Sequence, residues 1–205
     1  LQEPATVARF ENLVDTKAEY SHTILKIDPK ARQDVARSIA VFSAFAEGMA
    51  LYSSFAVLYS FQMRNLLKGI GQQMKWSVRD ESLHSKMGCI LFNHMCEEDS
   101  YIRAGVKDKI EEAARVAVDM ELNFIDKMFE MGDLENLKAS DLKEFIKKRG
   151  NEKLRELGYD GIFEYDESKA SQLDWFYHLT GGHTHTDFFS IRPTDYSKAN
   201  EGEDF

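Results

Sequence analysis

Glu81 and His84 stand three residues apart in the run Arg79-Asp80-Glu81-Ser82-Leu83-His84. On a helix that spacing puts a carboxylate and an imidazole one turn apart on one face, where both can reach the same metal ion. The pair is weak evidence alone, because Glu19-Tyr20-Ser21-His22 repeats it in an acidic chain with six histidines. What singles out Glu81 and His84 is Glu47, the lone charge in the run SIAVFSAFAEGMALYSSFAVLYSF from Ser38 to Phe61. A carboxylate in so apolar a run is costly to bury and needs a partner. Carboxylate and imidazole donors with open positions suit iron or manganese that reacts with oxygen, rather than a closed thiolate zinc site. The competing reading pairs Glu47 with Arg64 or Lys68 and leaves Glu81 and His84 as a surface pair.

Bringing Glu47 to Glu81 and His84 takes two long helices packed back to back, and the periodicity supplies them. Pro29 is the only proline between Pro4 and Pro193. The pattern predicts a first helix over about 6–25, ended by Asp28-Pro29, and a long second helix over about 30–67 stopping at Gly69. A third follows over about 71–96 and a fourth over about 106–131, stopped by Gly132. Shorter helices are predicted at Ser140 to Lys148, with Ser140 as N-cap and Glu144 near the capping-box position, and at Asn151 to Leu157, capped by Gly158. Glu47 and Glu81 are 34 residues apart; a turn at Gly69 to Gly71 leaves unequal arms, and a return beginning nearer 64 narrows the difference. A ferritin-like di-iron centre takes a Glu from each of two helices and a Glu-x-x-His from each of two others, so Glu47 with Glu81-x-x-His84 is one half of that pattern.

The composition fits one folded domain: 205 residues, 43% apolar, 30% charged and three prolines. The formal charge of −9 repels a phosphate backbone and argues against nucleic-acid binding. Cys89 and Cys96, seven residues apart, lie too far apart on a helix to bridge, which points to a reducing, cytoplasmic home. The run from Ser38 to Phe61 is long enough to span a bilayer, but its five serines and the lack of a second span favour a helix apolar all round at the centre of a bundle, with no membrane partner. The start at Leu1 carries no signal-peptide pattern. After Gly158 the period fades, so the expected division is a helical bundle over 1–158 and an extended, partly disordered tail over 159–205.

The stretches Ala46-Glu47-Gly48-Met49-Ala50-Leu51-Tyr52-Ser53-Ser54-Phe55 and Val78-Arg79-Asp80-Glu81-Ser82-Leu83-His84 resemble the second pair of metal-binding helices in the small, radical-generating subunit of class I ribonucleotide reductase. Phe145 to Leu154, Leu157-Gly158-Tyr159, Leu173 to Phe176, Thr186 to Phe189 and Arg192 to Lys198 are similar to the late helices and tail of that family. The resemblance implies an all-α, ferritin-like helical bundle, incomplete at the N-terminus, with an extended C-terminal tail. It implies a dinuclear iron or manganese cofactor with Glu47, Glu81 and His84 as half of the ligands, Asp80 as a carboxylate behind them on the electron path, and Phe55 in the apolar wall beside the metal. Tyr196 would relay the radical, and the acidic end with Phe205 would dock on the large catalytic subunit, the small subunit itself being a homodimer. The implied activity is that of a ribonucleoside-diphosphate reductase, with this chain inactive alone.

An Asp or Glu, a second Glu-x-x-His and the radical-bearing tyrosine, which family members carry on earlier helices, have no match upstream of Glu47, and Glu19 and His22 fall in what resembles a connecting helix. The chain therefore resembles the C-terminal portion of a small subunit. Another ferritin-like dimetal oxidase and a non-catalytic helical oligomer are the alternative readings. His178, His183 and His185 read as solvated, Met63, Met74, Met87, Met95, Met120, Met128 and Met131 as core filler, and Glu111-Glu112 and Lys147-Lys148-Arg149 as solvated faces.

Overall fold

The structure, a computed structural model, describes residues 28–180. The expected helix over 6–25, with Glu19 and His22, lies outside the described residues, as do Tyr196 and Phe205. Within them the chain is all-α: α1 Pro29–Val41, α2 Tyr52–Met63, α3 Lys68–Glu98, α4 Ser100–Met128, α5 Ala139–Glu156, and the short α6 Glu167–Ala170 and α7 Asp174–Thr180. The Asp28 side chain accepts a hydrogen bond from the Lys30 amide at 2.9 Å and Pro29 opens the helix, so α1 starts where the sequence breaks. Ala31, Ala36 and Ala40 are buried along α1, and these small side chains let it lie against both α3 and α4. Arg32 reaches Asp99, in the extended joint between α3 and α4, at 2.5 Å and ties the start of α1 to that joint.

The single helix expected over 30–67 is interrupted. Phe42–Glu47 winds as a π-helix, residues 48–51 form a turn, and the α-helix resumes at Tyr52. Gly88 of α3 makes room for this segment, because a Cβ there would fall 1.7 Å from Ser43 Oγ. The reversal into α3 comes at 64–67, where Asn65 and Leu67 adopt positive φ, and not at the glycines that follow. Glu47 is then 17 residues before Arg64 and Glu81 is 14 after Leu67, nearly equal arms, with the surplus taken up by the turn at 48–51.

The two helices expected over 140–157 are one. Gly150 sits inside α5, where a Cβ would lie 3.0 Å from both Phe163 and Val118, so glycine serves close packing there. Lys138, not Ser140, is the N-cap, and the Ala139 amide donates to the Asp133 carboxylate at 2.8 Å. Gly158 ends the helix as expected, with φ +81° and a hydrogen bond from the Tyr159 amide to the Leu154 carbonyl. The Arg103 guanidinium donates to the Leu157 carbonyl at the same end.

Residues 159–180 do not run out as an extended tail. Asn151 holds the strap that follows α5: its Oδ1 accepts from the Ile162 and Phe163 amides at 2.8 and 2.9 Å, and its Nδ2 donates to the Phe163 carbonyl at 2.8 Å. The strap returns Leu173 and Phe176 to the core, where the Phe176 ring lies 6.0, 5.8 and 5.9 Å from Tyr52, Tyr59 and Phe145. The tryptophan, phenylalanine and tyrosine of Trp175-Phe176-Tyr177 carry this packing, a short apolar cluster rather than a long period. Residues 29–63 are long and apolar enough to cross a membrane, but 67% of the most apolar window is buried inside the protein, as in a central core helix. Cys89 and Cys96 are both buried free thiols on α3.

Candidate metal centre

Glu47 ends the π-helical turn and faces α3, which carries Glu81 and His84 on adjacent turns. A ligand atom from each of the three lies within 4.8 Å of the others, the spacing of donors around one ion. His84 Nδ1 is 3.9 Å from Glu47 and 3.7 Å from Glu81. Both carboxylates are partly buried and the imidazole is largely exposed. Burial raises the Glu47 carboxyl above the usual carboxylate range; His84 opposes that shift and Glu81 adds to it. Two hard oxygen donors and one imidazole fit a divalent iron or manganese ion with further positions open. The competing pairing of Glu47 with Arg64 or Lys68 does not form: Arg64 donates to the Ser60 carbonyl and lies over the Phe61 ring, while Glu47 faces His84.

Behind the cluster the two ligand-bearing segments are joined. Tyr52 Oη and Ser82 Oγ, the latter next to Glu81, are 2.6 Å apart. Arg149 lies over the Tyr52 ring at 3.5 Å and donates from Nε to the Gly48 carbonyl at 2.6 Å. Ser53 donates to Glu121 of α4 at 2.5 Å, pinning the first turn of α2. Asp80 is solvent-exposed. Phe55 is buried, its ring edge-on to Tyr52 at 5.9 Å. The sequence reading missed Arg149, which it placed on a solvated face and which is 7% exposed. It missed Glu121 too, 1% exposed and hidden among the many acidic residues of α4.

A sequence model described as "Ribonucleotide reductase, small chain" matches residues 7–170. The chain belongs to this family. Similar members of the ribonucleotide reductase small-chain family include the probable ribonucleoside-diphosphate reductase small subunit 048L of Invertebrate iridescent virus 3, 38% identical over 82% of this chain and 44% of the relative. The corresponding protein 376L of Invertebrate iridescent virus 6 is 32% identical over 82% of this chain and 53% of the relative. The ribonucleoside-diphosphate reductase subunit beta of Chlamydia pneumoniae is 24% identical over 80% of this chain and 46% of the relative. The chain thus spans about half the length of the curated relatives it matches. The all-α architecture is the ferritin-like one of the ribonucleotide reductase small chain. That family is known for a dinuclear metal site, and the Glu47, Glu81 and His84 cluster has a donor set that fits a metal ion.

Proposed function

We propose that this chain is the metal-holding C-terminal part of a ribonucleoside-diphosphate reductase small subunit, with Glu47, Glu81 and His84 as ligands from one half of a dinuclear iron or manganese site. The convergence of these three side chains from two separate segments carries the reading. When bound, the metal pair supplies oxidation by oxygen to a radical, and the protein's part is to ligate and insulate it. Glu47 and Glu81 provide anionic oxygens, His84 a neutral nitrogen, and buried Phe55 belongs to the apolar wall that shields the site. Asp80, solvent-exposed on α3 next to Glu81, is assigned to the electron path.

Residues 181–205, including Tyr196 and the acidic end with Phe205, are assigned to radical relay and docking on the large catalytic subunit. The assembly acts in the cytoplasm as a homodimer with that partner and reduces ribonucleotides to deoxyribonucleotides. This chain alone generates no radical. The test is metal analysis of the purified 205-residue chain after loading with Fe(II) or Mn(II), beside Glu47→Ala, Glu81→Ala and His84→Ala. Retention by the parent and loss in each variant is expected. No retention by the parent, or equal retention in all four proteins, would overturn the ligand assignment.

A further inference from the structure

The backbone around Glu47 has lost part of its helical bonding. In a regular α-helix the Tyr52 amide would donate to the Gly48 carbonyl. Here it donates to Met49 at 2.9 Å, and the Ala50 amide reaches back five residues to Phe45 at 2.9 Å. The Gly48 carbonyl, immediately after the ligand, is thereby deprived of its helical donor. A buried carbonyl without a partner is costly. Arg149, from α5 and 101 residues further along, fills the gap with its Nε at 2.6 Å. Its guanidinium also rests 3.5 Å above the Tyr52 ring, and its other end lies 3.8 Å from Glu152. Tyr52 in turn meets Ser82, the neighbour of Glu81, at 2.6 Å. One buried cation therefore touches the residue after Glu47 directly and reaches the residue after Glu81 through a single tyrosine.

We propose that Arg149 is a positioning residue for the metal centre: it latches the broken turn at Gly48 and, through Tyr52 and Ser82, sets Glu47 and Glu81 at ligand spacing. A guanidinium is suited to this because one group supplies an N–H to the carbonyl and a flat face to the ring at once; a lysine ammonium offers only the point charge. The inference rests on the reading of Glu47, Glu81 and His84 as metal ligands.

The latch borders a cavity of about 520 Å³ lined by Tyr52, Ser82, Cys89, Arg149, Lys153 and Tyr177, which has the volume for a guanidinium-sized molecule once the Arg149 side chain is removed. The test uses the 205-residue chain and Mn(II) binding by calorimetry, with thermal unfolding measured in parallel. Arg149→Ala is expected to weaken Mn(II) binding by at least tenfold, millimolar methylguanidinium to restore it several-fold, and Arg149→Lys, which keeps the buried charge and guards against misfolding, to fall between. Ile125→Val, a core change in α4, is expected to lower the unfolding temperature and leave Mn(II) affinity within twofold. Unchanged affinity in both Arg149 variants, or an equal loss in Ile125→Val, would overturn the latch. Absence of Mn(II) binding by the parent would instead defeat the ligand reading. Amide exchange over residues 48–52 then decides: acceleration in Arg149→Lys relative to α4 upholds the latch on the backbone, and no acceleration ends it.

Discussion

Asn151→Ala should detach the strap that follows α5, and its cost can be worked from three hydrogen bonds. The side chain is 2% exposed, accepts two backbone amides and donates to one carbonyl of residues 162–163, all at 2.8–2.9 Å. Alanine removes all three partners. At a net value of about 1 kcal/mol for each bond, the loss is about 3 kcal/mol, and more if the freed backbone groups stay away from water. Asn151→Asp keeps both accepted bonds and turns the donor into an oxygen facing the Phe163 carbonyl, so it should cost about 1–2 kcal/mol, one bond plus a repulsion. Urea unfolding of parent and both variants gives the ranking, and amide exchange locates it: peptides over 159–177 should exchange faster in Asn151→Ala while those of α4 do not change. A loss below about 0.5 kcal/mol in Asn151→Ala, or an aspartate variant less stable than the alanine one, would refute the account of the strap as held by this amide.

Further consequences concern the aromatic core and the buried thiol. Phe176→Ala empties a fully buried site between Tyr52, Tyr59 and Phe145 and should cost about 3–5 kcal/mol in urea unfolding; a loss under 1 kcal/mol would mean that α7 is not seated there. Burial pushes the Cys89 thiol from 9.0 up to about 11, with Glu156 adding to the shift and Lys153 opposing it. At pH 8 its thiolate fraction falls roughly 100-fold, so iodoacetamide should label it more than tenfold more slowly in the folded chain than in urea; equal rates would contradict the burial. Stability follows with a definite sign. Above pH 9 the unfolded chain releases the Cys89 proton that the folded chain keeps, so this thiol makes stability fall as pH rises from 9 toward 11. Buried Tyr59, raised to about 12, acts in the same direction from pH 10, while Lys153, lowered by burial and by Arg149, acts in the opposite one. The Cys89 part is isolated by comparing slopes: Cys89→Ala should lose about 2 kcal/mol less than the parent between pH 8 and 11, and parallel curves would show that the thiol does not titrate as described.

The ligand cluster was legible because its signals are local or simple: a carboxylate alone in an apolar run, and a Glu and His three residues apart on a helix. The turn that brings them together was harder to read. The pattern places the turn at Gly69 to Gly71 and a break between Lys148 and Asn151, yet Gly71 and Gly150 both lie inside helices. A Cβ on Gly71 would sit 2.2 Å from the Gln62 side chain, so this glycine allows close packing, while the residues that turn are Asn65 and Leu67. A glycine needed for close approach and one needed for a left-handed bend look identical until the neighbouring helix is in place. The strap was missed for a related reason. Its order comes from Asn151 and from three consecutive aromatic residues, and neither has a period that a helix or strand pattern would register.

Arg149 marks the deeper limit. In Lys147-Lys148-Arg149 all three charges read as solvated, and the two lysines do pair near the surface, with Glu144 and Glu167. Helical geometry rotates each successive residue by about 100°, so the three side chains fan out over about 200° and one of them can turn inward. That much follows from the sequence. Which one turns inward, and whether its charge can be held there, depends on an acceptor that exists only after folding. The Gly48 carbonyl becomes available because the chain leaves α-helical geometry at Phe42 to Glu47, and the Tyr52 ring because α2 restarts beside it. The break that aims Glu47 at α3 and the burial of Arg149 are therefore one structural event: each supplies what the other lacks, a donor for an orphaned carbonyl and a partner for a buried cation.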